Sequence, residues 1–288
     1  VVAPEHVGSD YQFQQDLLMG LTTETFAASE FFDRPLDISY VLDVLEQKNA
    51  TEFDNRLNLK QVGAFGHSFG GYTVMMAGGA TVDFDQLQEK CQQDYVLQSL
   101  DNSMLLQCRA LELSSSPQAV ALLTSGQLRD PRIHAVIAAN PVAGTILSPS
   151  SIGQMHLPVM IYGGGHDPVA PLVPEQLQAF TQLPEGNKYL LLVNNASHMP
   201  AVTTVVNHIL LPADLTTNLS EEITAFYDQL ITVGVAFMQV YVAERSDYRP
   251  YLQSTYVESL DESPFDFSLI FSFPPEALER LLQANQTQ

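Results

Sequence analysis

One segment of the sequence has residue types and spacing that could support nucleophilic chemistry. Residues 63–79 read GAFGHSFGGYTVMMAGG, in which Gly66, Ser68 and Gly70 fit the pattern G-x-S-x-G. An apolar run precedes the serine and a helix-compatible run follows it, which predicts a strand, a strained turn and a helix from about residue 69 to residue 78. Ser68 is therefore predicted as a nucleophile, flanked by glycines because the neighbouring backbone packs closely. The alternative is a glycine-rich turn with an inert serine.

A serine hydroxyl becomes an effective nucleophile when a histidine takes its proton and a carboxylate holds that histidine in the correct tautomer. With a serine on this kind of turn, the acid and then the histidine follow it in the chain. His198 comes after the apolar strand KYLLLV across the short loop NNAS, at the sheet edge where Ser68 is also expected. We therefore predict His198 as the general base, the alternative being a loop histidine without a role.

The other histidines fit the role of the base less well. His6 and His67 precede the serine, and His134 and His156 lie at or before the start of predicted strands. His166 adjoins the candidate acid, and His208 has no strand end beside it. Asp167 is the candidate acid, because it follows the strand PVMIYG across a glycine-rich loop at the carboxyl edge. Asp130, its main rival, precedes a strand and is predicted at the opposite edge.

Short apolar runs alternate with amphipathic segments, which is typical of a mostly parallel sheet flanked by helices. We predict a strand end at residues 1–4, strands near 61–67, 132–141, 157–167 and 188–193, and helices at 36–47, 69–78 and 174–183. Asn218, with Glu221 three residues further on, fits the N-cap of another helix that carries an apolar stripe.

Residues 83–128 interrupt this alternation with helical character, and we predict that they form an inserted helical cap. The segment contains both cysteines, Cys91 and Cys108. They could form a disulfide in an exported protein or remain buried free thiols in a cytosolic one. We divide the chain into an α/β domain at residues 1–248 and an accessory C-terminal extension at residues 249–288, whose elements the pattern does not place.

The composition argues against several classes of function. Twelve basic and 33 acidic residues give a net charge of −21, which is unfavourable for binding nucleic acid or anionic membrane surfaces. The longest apolar stretch, residues 225–243, contains polar residues and does not resemble a transmembrane segment. Nothing in the cysteine and histidine spacing indicates a zinc site.

These motifs together resemble those of the α/β-hydrolases, and more narrowly the platelet-activating-factor acetylhydrolase-like and bacterial dienelactone-hydrolase-like proteins. The resemblance covers about residues 1–245 and rests on APEHVGS, RPLDISYVLD, GHSFGG, GGGHDPVAP and NASHMP. The cap sequence LLQCRALEL is similar to that of cyanobacterial members. The resemblance implies an α/β-hydrolase fold and ester hydrolysis through an acyl-enzyme on Ser68, without metal or organic cofactor. Dienelactone hydrolases themselves use a cysteine at this position, so their substrate is not expected.

The same resemblance defines two further features. In RPLDISYVLD, Arg34 and Asp37 are three residues apart, and we interpret them as a supporting pair on one helix face. The family takes one oxyanion donor from the residue after the nucleophile, so Phe69 is the predicted oxyanion and substrate-binding residue. A second donor would come from a loop with a glycine-rich HG motif, which the residues before Ser68 do not contain. We therefore expect that N-terminal strands of the fold are missing and that the chain is a fragment of a longer enzyme.

The leading expectation is a serine esterase that acts on small-molecule carboxylic esters, either short-acyl or lipid-like. Two alternatives stay open: a hydrolase-fold protein that binds without catalysis, and an amidase or polyester hydrolase that uses the same three side chains. The cysteines and the frequent export of the family indicate a periplasmic or secreted location, with the cytoplasm as the alternative. The sequence does not indicate an oligomeric state.

Overall fold

A single sheet organises the chain in the computed structural model. The residues that it describes are 1–8, 10, 12, 19, 27–92, 101–186, 188–198, 213–260 and 265–273, with only the backbone described for 213–223. Within them, five strands lie side by side in chain order: β1 (Val62–His67), β2 (Ile133–Ala139), β3 (Val159–Gly164), β4 (Lys188–Val193) and β5 (Phe267–Ile270). β1 to β4 are parallel, and β5 is antiparallel to β4.

Helices flank this sheet. The α-helices of the described residues are α1 (Glu30–Glu52), α2 (Phe69–Gly78), α3 (Phe84–Lys90), α4 (Met104–Gln107), α5 (Pro117–Thr124), α6 (Pro149–Ile152), α7 (Gln178–Gln182), α8 (Ala213–Tyr241) and α9 (Ser254–Glu258). Two 3₁₀ segments, Cys108–Leu113 and Ser246–Leu252, and a π-helical segment, Leu172–Leu177, complete the set. The predicted mostly parallel α/β architecture is thus confirmed.

The middle strands of the sheet are covered on both faces, which explains why β2 and β3 are apolar along nearly their whole length rather than alternating. On one face, Val136 of β2 and Ile161 of β3 pack in a core with residues of α2 such as Met75. On the other face, Ile137 of β2 packs with α8, whose Phe237 is fully buried. Phe226 and Val233 of the predicted apolar stripe are buried in the same core.

The segment predicted as a cap lies between α2 and β2, and its described parts, 83–92 and 101–128, are mainly helical. A disulfide joins Cys91, at the end of α3, to Cys108, at the end of α4. The predicted accessory extension, residues 249–288, supplies β5, so part of it belongs to the main sheet.

Two sequence-based expectations, a strand at residues 1–4 and a helix start at Asn218, are wrong. Residues 1–4 form no strand, and Val1 and Val2 are exposed, because an apolar run becomes a strand only where another strand pairs with it. α8 begins at Ala213 and contains Asn218, which is therefore not its N-cap. An Asn with a Glu three residues later is a local signal that also fits a helix interior, so it does not by itself mark a helix start.

Candidate functional site

Ser68 occupies the turn between β1 and α2. Its backbone has φ 57° and ψ −118°, a positive φ that is strained for a residue with a side chain. The Ser68 N–H donates to the carbonyl of Ala139 at the end of β2 (2.8 Å), and its own carbonyl accepts from the Gly71 N–H (2.9 Å). The strained strand-turn-helix geometry predicted for residues 66–71, the serine turn, is therefore present.

The glycines of the serine turn are not equally constrained. A Cβ on Gly66 would overlap the carbonyl of Gly70, and a Cβ on Gly71 would lie 2.8 Å from Cα of Pro141. A Cβ on Gly70 would meet nothing within 4 Å. The expectation that close packing requires both glycines of the pattern is thus wrong for Gly70. Gly71 is the second crowded position, because the start of α2 packs against the backbone that follows β2.

The structure brings Asp167 and His198 together. His198 Nδ1 lies 2.7 Å from Asp167 Oδ2, and both side chains are buried. The other carboxylate oxygen, Oδ1, accepts from the N–H groups of Val169 (2.8 Å) and Ala170 (2.9 Å). Since an ionised carboxylate only accepts, Nδ1 of His198 carries the proton, and Nε2 is left as the basic nitrogen.

Ser68 lies at the same edge of the sheet as this pair. The parallel strands β1 to β4 all end there, with His67 level with Ala139 and Gly164 level with Val193. The ring of His67, next to Ser68 in the chain, packs on the His198 ring with 4.7 Å between centroids. Among the described contacts there is no hydrogen bond between the Ser68 hydroxyl and His198. In catalytic sites such bonds often tighten only when substrate binds.

Phe69 is the first residue of α2, so its N–H lies at the positive end of the helix. Its ring is buried, packing edge-on to Phe31 with 5.0 Å between centroids, and the Arg34 guanidinium lies 4.4 Å above it. Arg34 donates to Glu30 (2.9 Å), one helical turn earlier. Asp37 bonds His6 (2.8 Å). The predicted Arg34–Asp37 pair is thus replaced by two others, since Glu30 on the same helix face takes Arg34 and the distant His6 takes Asp37.

Two further residues at this edge were not predicted as site residues. His67 Nε2 lies 2.8 Å from the backbone carbonyl of His198, and Asn140 Nδ2 donates to the same carbonyl at 3.3 Å. Asn140 also accepts from the Gly164 N–H (2.9 Å) through Oδ1 and has a positive φ of 40°. Asn140 follows β2 directly, so a search for polar residues just after predicted strands, which selected Asp167 and His198, could also have found it.

His67 is the lower-ranked histidine that contacts His198, and the remaining candidates that the structure describes are distant from this pair or exposed. Asp130 precedes β2 at the opposite edge of the sheet and binds Arg132 (2.7 Å). His134 Nδ1 bonds the Arg132 carbonyl near the same edge (2.9 Å). His156 and His166 are exposed, and His208 lies outside the described residues. The part of the chain that the structure describes contains no cluster of three potential metal ligands.

The chain matches no protein-family model, and a comparison with curated proteins found no similar sequence. Among its described residues, no helix is both long enough and apolar enough to cross a lipid bilayer.

Proposed function

We propose that the chain has an α/β-hydrolase fold and is a serine hydrolase that cleaves carboxylic esters through an acyl-enzyme on Ser68. One observation carries the proposal: a buried Asp167–His198 hydrogen bond of 2.7 Å lies at the same sheet edge as a serine held at positive φ. A buried carboxylate that orients an imidazole near a strained serine is the arrangement that acyl transfer needs. A purely structural role for the turn would not require this pair.

In the first half of the proposed reaction, His198 Nε2 takes the proton of the Ser68 hydroxyl while Oγ attacks the ester carbonyl carbon. Asp167 Oδ2 stabilises the resulting imidazolium and is itself held in place, because Oδ1 accepts two backbone N–H groups. The tetrahedral intermediate then collapses, the bond to the alcohol oxygen breaks and His198 returns its proton to that oxygen. The products are the free alcohol and an ester of Ser68.

In the second half, His198 removes a proton from water, and the hydroxide attacks the acyl carbon. The Ser68 Oγ leaves, takes the proton back, and the carboxylic acid is released. Both tetrahedral intermediates carry negative charge on oxygen, and the N–H of Phe69 at the start of α2 is the donor that we assign to it. Acyl transfer of this kind uses no metal or organic cofactor.

The disulfide supports a proposal about location. Cys91 and Cys108 are joined within the segment between α2 and β2, and disulfides persist mainly in oxidising compartments. We therefore propose a periplasmic or secreted protein. Two free thiols in native protein prepared without reductant would contradict this and favour the cytoplasm.

A fluorophosphonate probe tests the proposed nucleophile, because it reacts with serines activated by a base. We expect stoichiometric labelling that mass spectrometry places on Ser68 and that is lost in Ser68→Ala. Ser125→Ala, which removes an exposed serine hydroxyl outside the site, is the matched control and should label normally. Failure of the folded protein to label would reject the enzyme in favour of a binding module.

Chromogenic esters of graded acyl length then define the substrate. We expect hydrolysis that depends on Ser68 and falls as the acyl chain exceeds the preferred length. Matched anilides in the same assay distinguish an esterase from an amidase, since cleavage of amides at comparable rates would favour the latter. Release of soluble acid from a polyester film would favour a polyester hydrolase.

A further inference from the structure

His67 makes two contacts with His198. Its Nε2 lies 2.8 Å from the His198 carbonyl oxygen, and the two rings pack with centroids 4.7 Å apart at an angle of 46°. A carbonyl oxygen can only accept, so the ring nitrogen that bonds it must carry the proton. The hydrogen bond therefore fixes His67 as the tautomer with a proton on Nε2.

This contact complements the one made by Asp167. Asp167 holds the His198 ring at Nδ1, while His67 holds the backbone of the same residue at its carbonyl. With one anchor alone, the imidazole could pivot about it, but two anchors at opposite ends of the residue define both the position and the direction of Nε2. Asn140 adds a longer bond of 3.3 Å to the same carbonyl.

His67 and Ser68 are also consecutive residues. The anchor of the base and the proposed nucleophile therefore share one peptide unit at the end of β1, and any shift of this strand end moves both together. We propose that His67 is a positioning residue for His198, which sets the base relative to Ser68 through its Nε2–H hydrogen bond to the His198 carbonyl. This inference rests on the proposed function for its catalytic consequence, but not for the hydrogen bond itself.

The electrostatic surroundings agree with this role. Burial lowers the pKa of His67, and a positive charge on His198 lowers it further, whereas the His198 carbonyl and the charge of Asp167 act in the opposite direction. The lowered pKa favours the neutral form of His67, whose single ring proton then lies on Nε2, where it can donate to the His198 carbonyl.

Three substitutions separate the hydrogen bond from the bulk of the ring. His67→Phe keeps a ring and removes the donor, and His67→Asn places an amide too close to the backbone to reach the carbonyl. His67→Gln carries an amide nitrogen at nearly the reach of Nε2, so it can restore the bond. His134→Phe is the matched control, because His134 also bonds a backbone carbonyl, that of Arg132 at 2.9 Å, near the opposite edge of the sheet.

The primary readout is the downfield proton NMR resonance of the His198 Nδ1–H, assigned by its loss in His198→Gln. With folding verified by circular dichroism, we expect this resonance to be lost or broadened in His67→Phe and His67→Asn and retained in His67→Gln and His134→Phe. The rate of fluorophosphonate labelling should fall about 10- to 100-fold in the first two variants, since small displacements of a catalytic group have effects of this size.

Two results would overturn the inference. An unchanged resonance and labelling rate in His67→Phe would show that the donor is not needed. Equal losses in His67→Gln and His67→Phe would show that restoring a donor at this position does not restore the base, so the hydrogen bond is not what positions His198. If the resonance responds as expected while the native protein fails to label at all, the positioning role stands and the proposed hydrolase function fails.

Discussion

The two edges of the sheet each hold a buried aspartate, and the two carboxylates have different partners. At the carboxyl edge, Asp167 bonds the imidazole of His198 at 2.7 Å. At the opposite edge, Asp130 accepts from the Arg132 guanidinium at 2.7 and 2.9 Å and from its backbone N–H. Asp167 is 6% exposed and Asp130 3%, so burial does not distinguish them.

The partner decides what each aspartate can do. An imidazole exchanges its proton near neutral pH, whereas a guanidinium remains charged, so only the Asp167 pair can take part in proton transfer. Arg132 also binds Asp43 and Glu46 of α1, at 2.8 and 3.4 Å, so the Asp130 pair ties the start of β2 to a helix. The chemistry that we propose therefore belongs to the first edge, while the second edge contributes stability.

The largest expected effect is on activity in Asp167→Asn. An amide in place of the carboxylate would force the other tautomer of His198, and changes of this type lower kcat by about 10⁴-fold in serine hydrolases. Asp130→Asn is the matched control and should keep kcat within a few-fold. Ester hydrolysis by the two purified variants measures the difference. Comparable losses in both would remove the functional distinction between the edges.

The next largest effect is on stability, for which the substitution of Asp130 should matter more than that of Asp167. Asp130→Asn should lower the free energy of unfolding by about 1.5–3 kcal/mol, the usual contribution of hydrogen bonds to a charged group. Although burial opposes it, the hydrogen bonds from Arg132 lower the pKa of Asp130. The contribution is therefore present above the unfolded pKa and lost as the pH falls through the folded one. Urea unfolding at pH 7 and at pH 3 should show the deficit shrinking in acid.

A third buried aspartate sharpens the comparison, because its neighbours include another carboxyl group. Burial, and then the charge of the neighbouring Glu175, raises the pKa of Asp101 to about 8, although Ser103 donates to Asp101. Glu175 is fully buried and accepts from Gln107 (2.8 Å) and from the Ala143 and Gly144 N–H groups. The partly buried Lys90 is the nearby cation.

The smallest expected effect is a change in melting temperature on substitution of Asp101. A pKa of Asp101 raised from 3.8 to about 8 means that the folded protein binds an extra proton between these values, so stability falls as the pH rises through this range. Asp101→Asn should therefore raise the melting temperature by a few degrees at pH 9 and change it less at pH 5. Calorimetry at both values measures it. A larger gain at pH 5 would contradict the raised pKa.

The parts of the site that depend on strand direction could be predicted from sequence. Asp167 and His198 both follow apolar runs, and parallel strands necessarily end at a common edge. The contact of His67 with His198 could not be predicted, because it joins residues 131 positions apart and depends on how far the loop after β4, which carries His198, folds back. β5 was missed for a similar reason, since its pairing with β4 leaves no local pattern in the irregular C-terminal sequence.

The serine turn and the base differ in how the chain must fold to form them. Ser68 bonds Gly71 within its own turn and Ala139 of the neighbouring strand, whereas His198 is fixed by partners in three separate segments, Asp167, Asn140 and His67. Each of those contacts closes a loop, and the entropy lost in closure must be offset by burial before the contact is stable. The serine turn thus needs β1 to pair with β2, while a correctly placed His198 exists only once the segments that carry Asp167 and His198 have also met this strand pair.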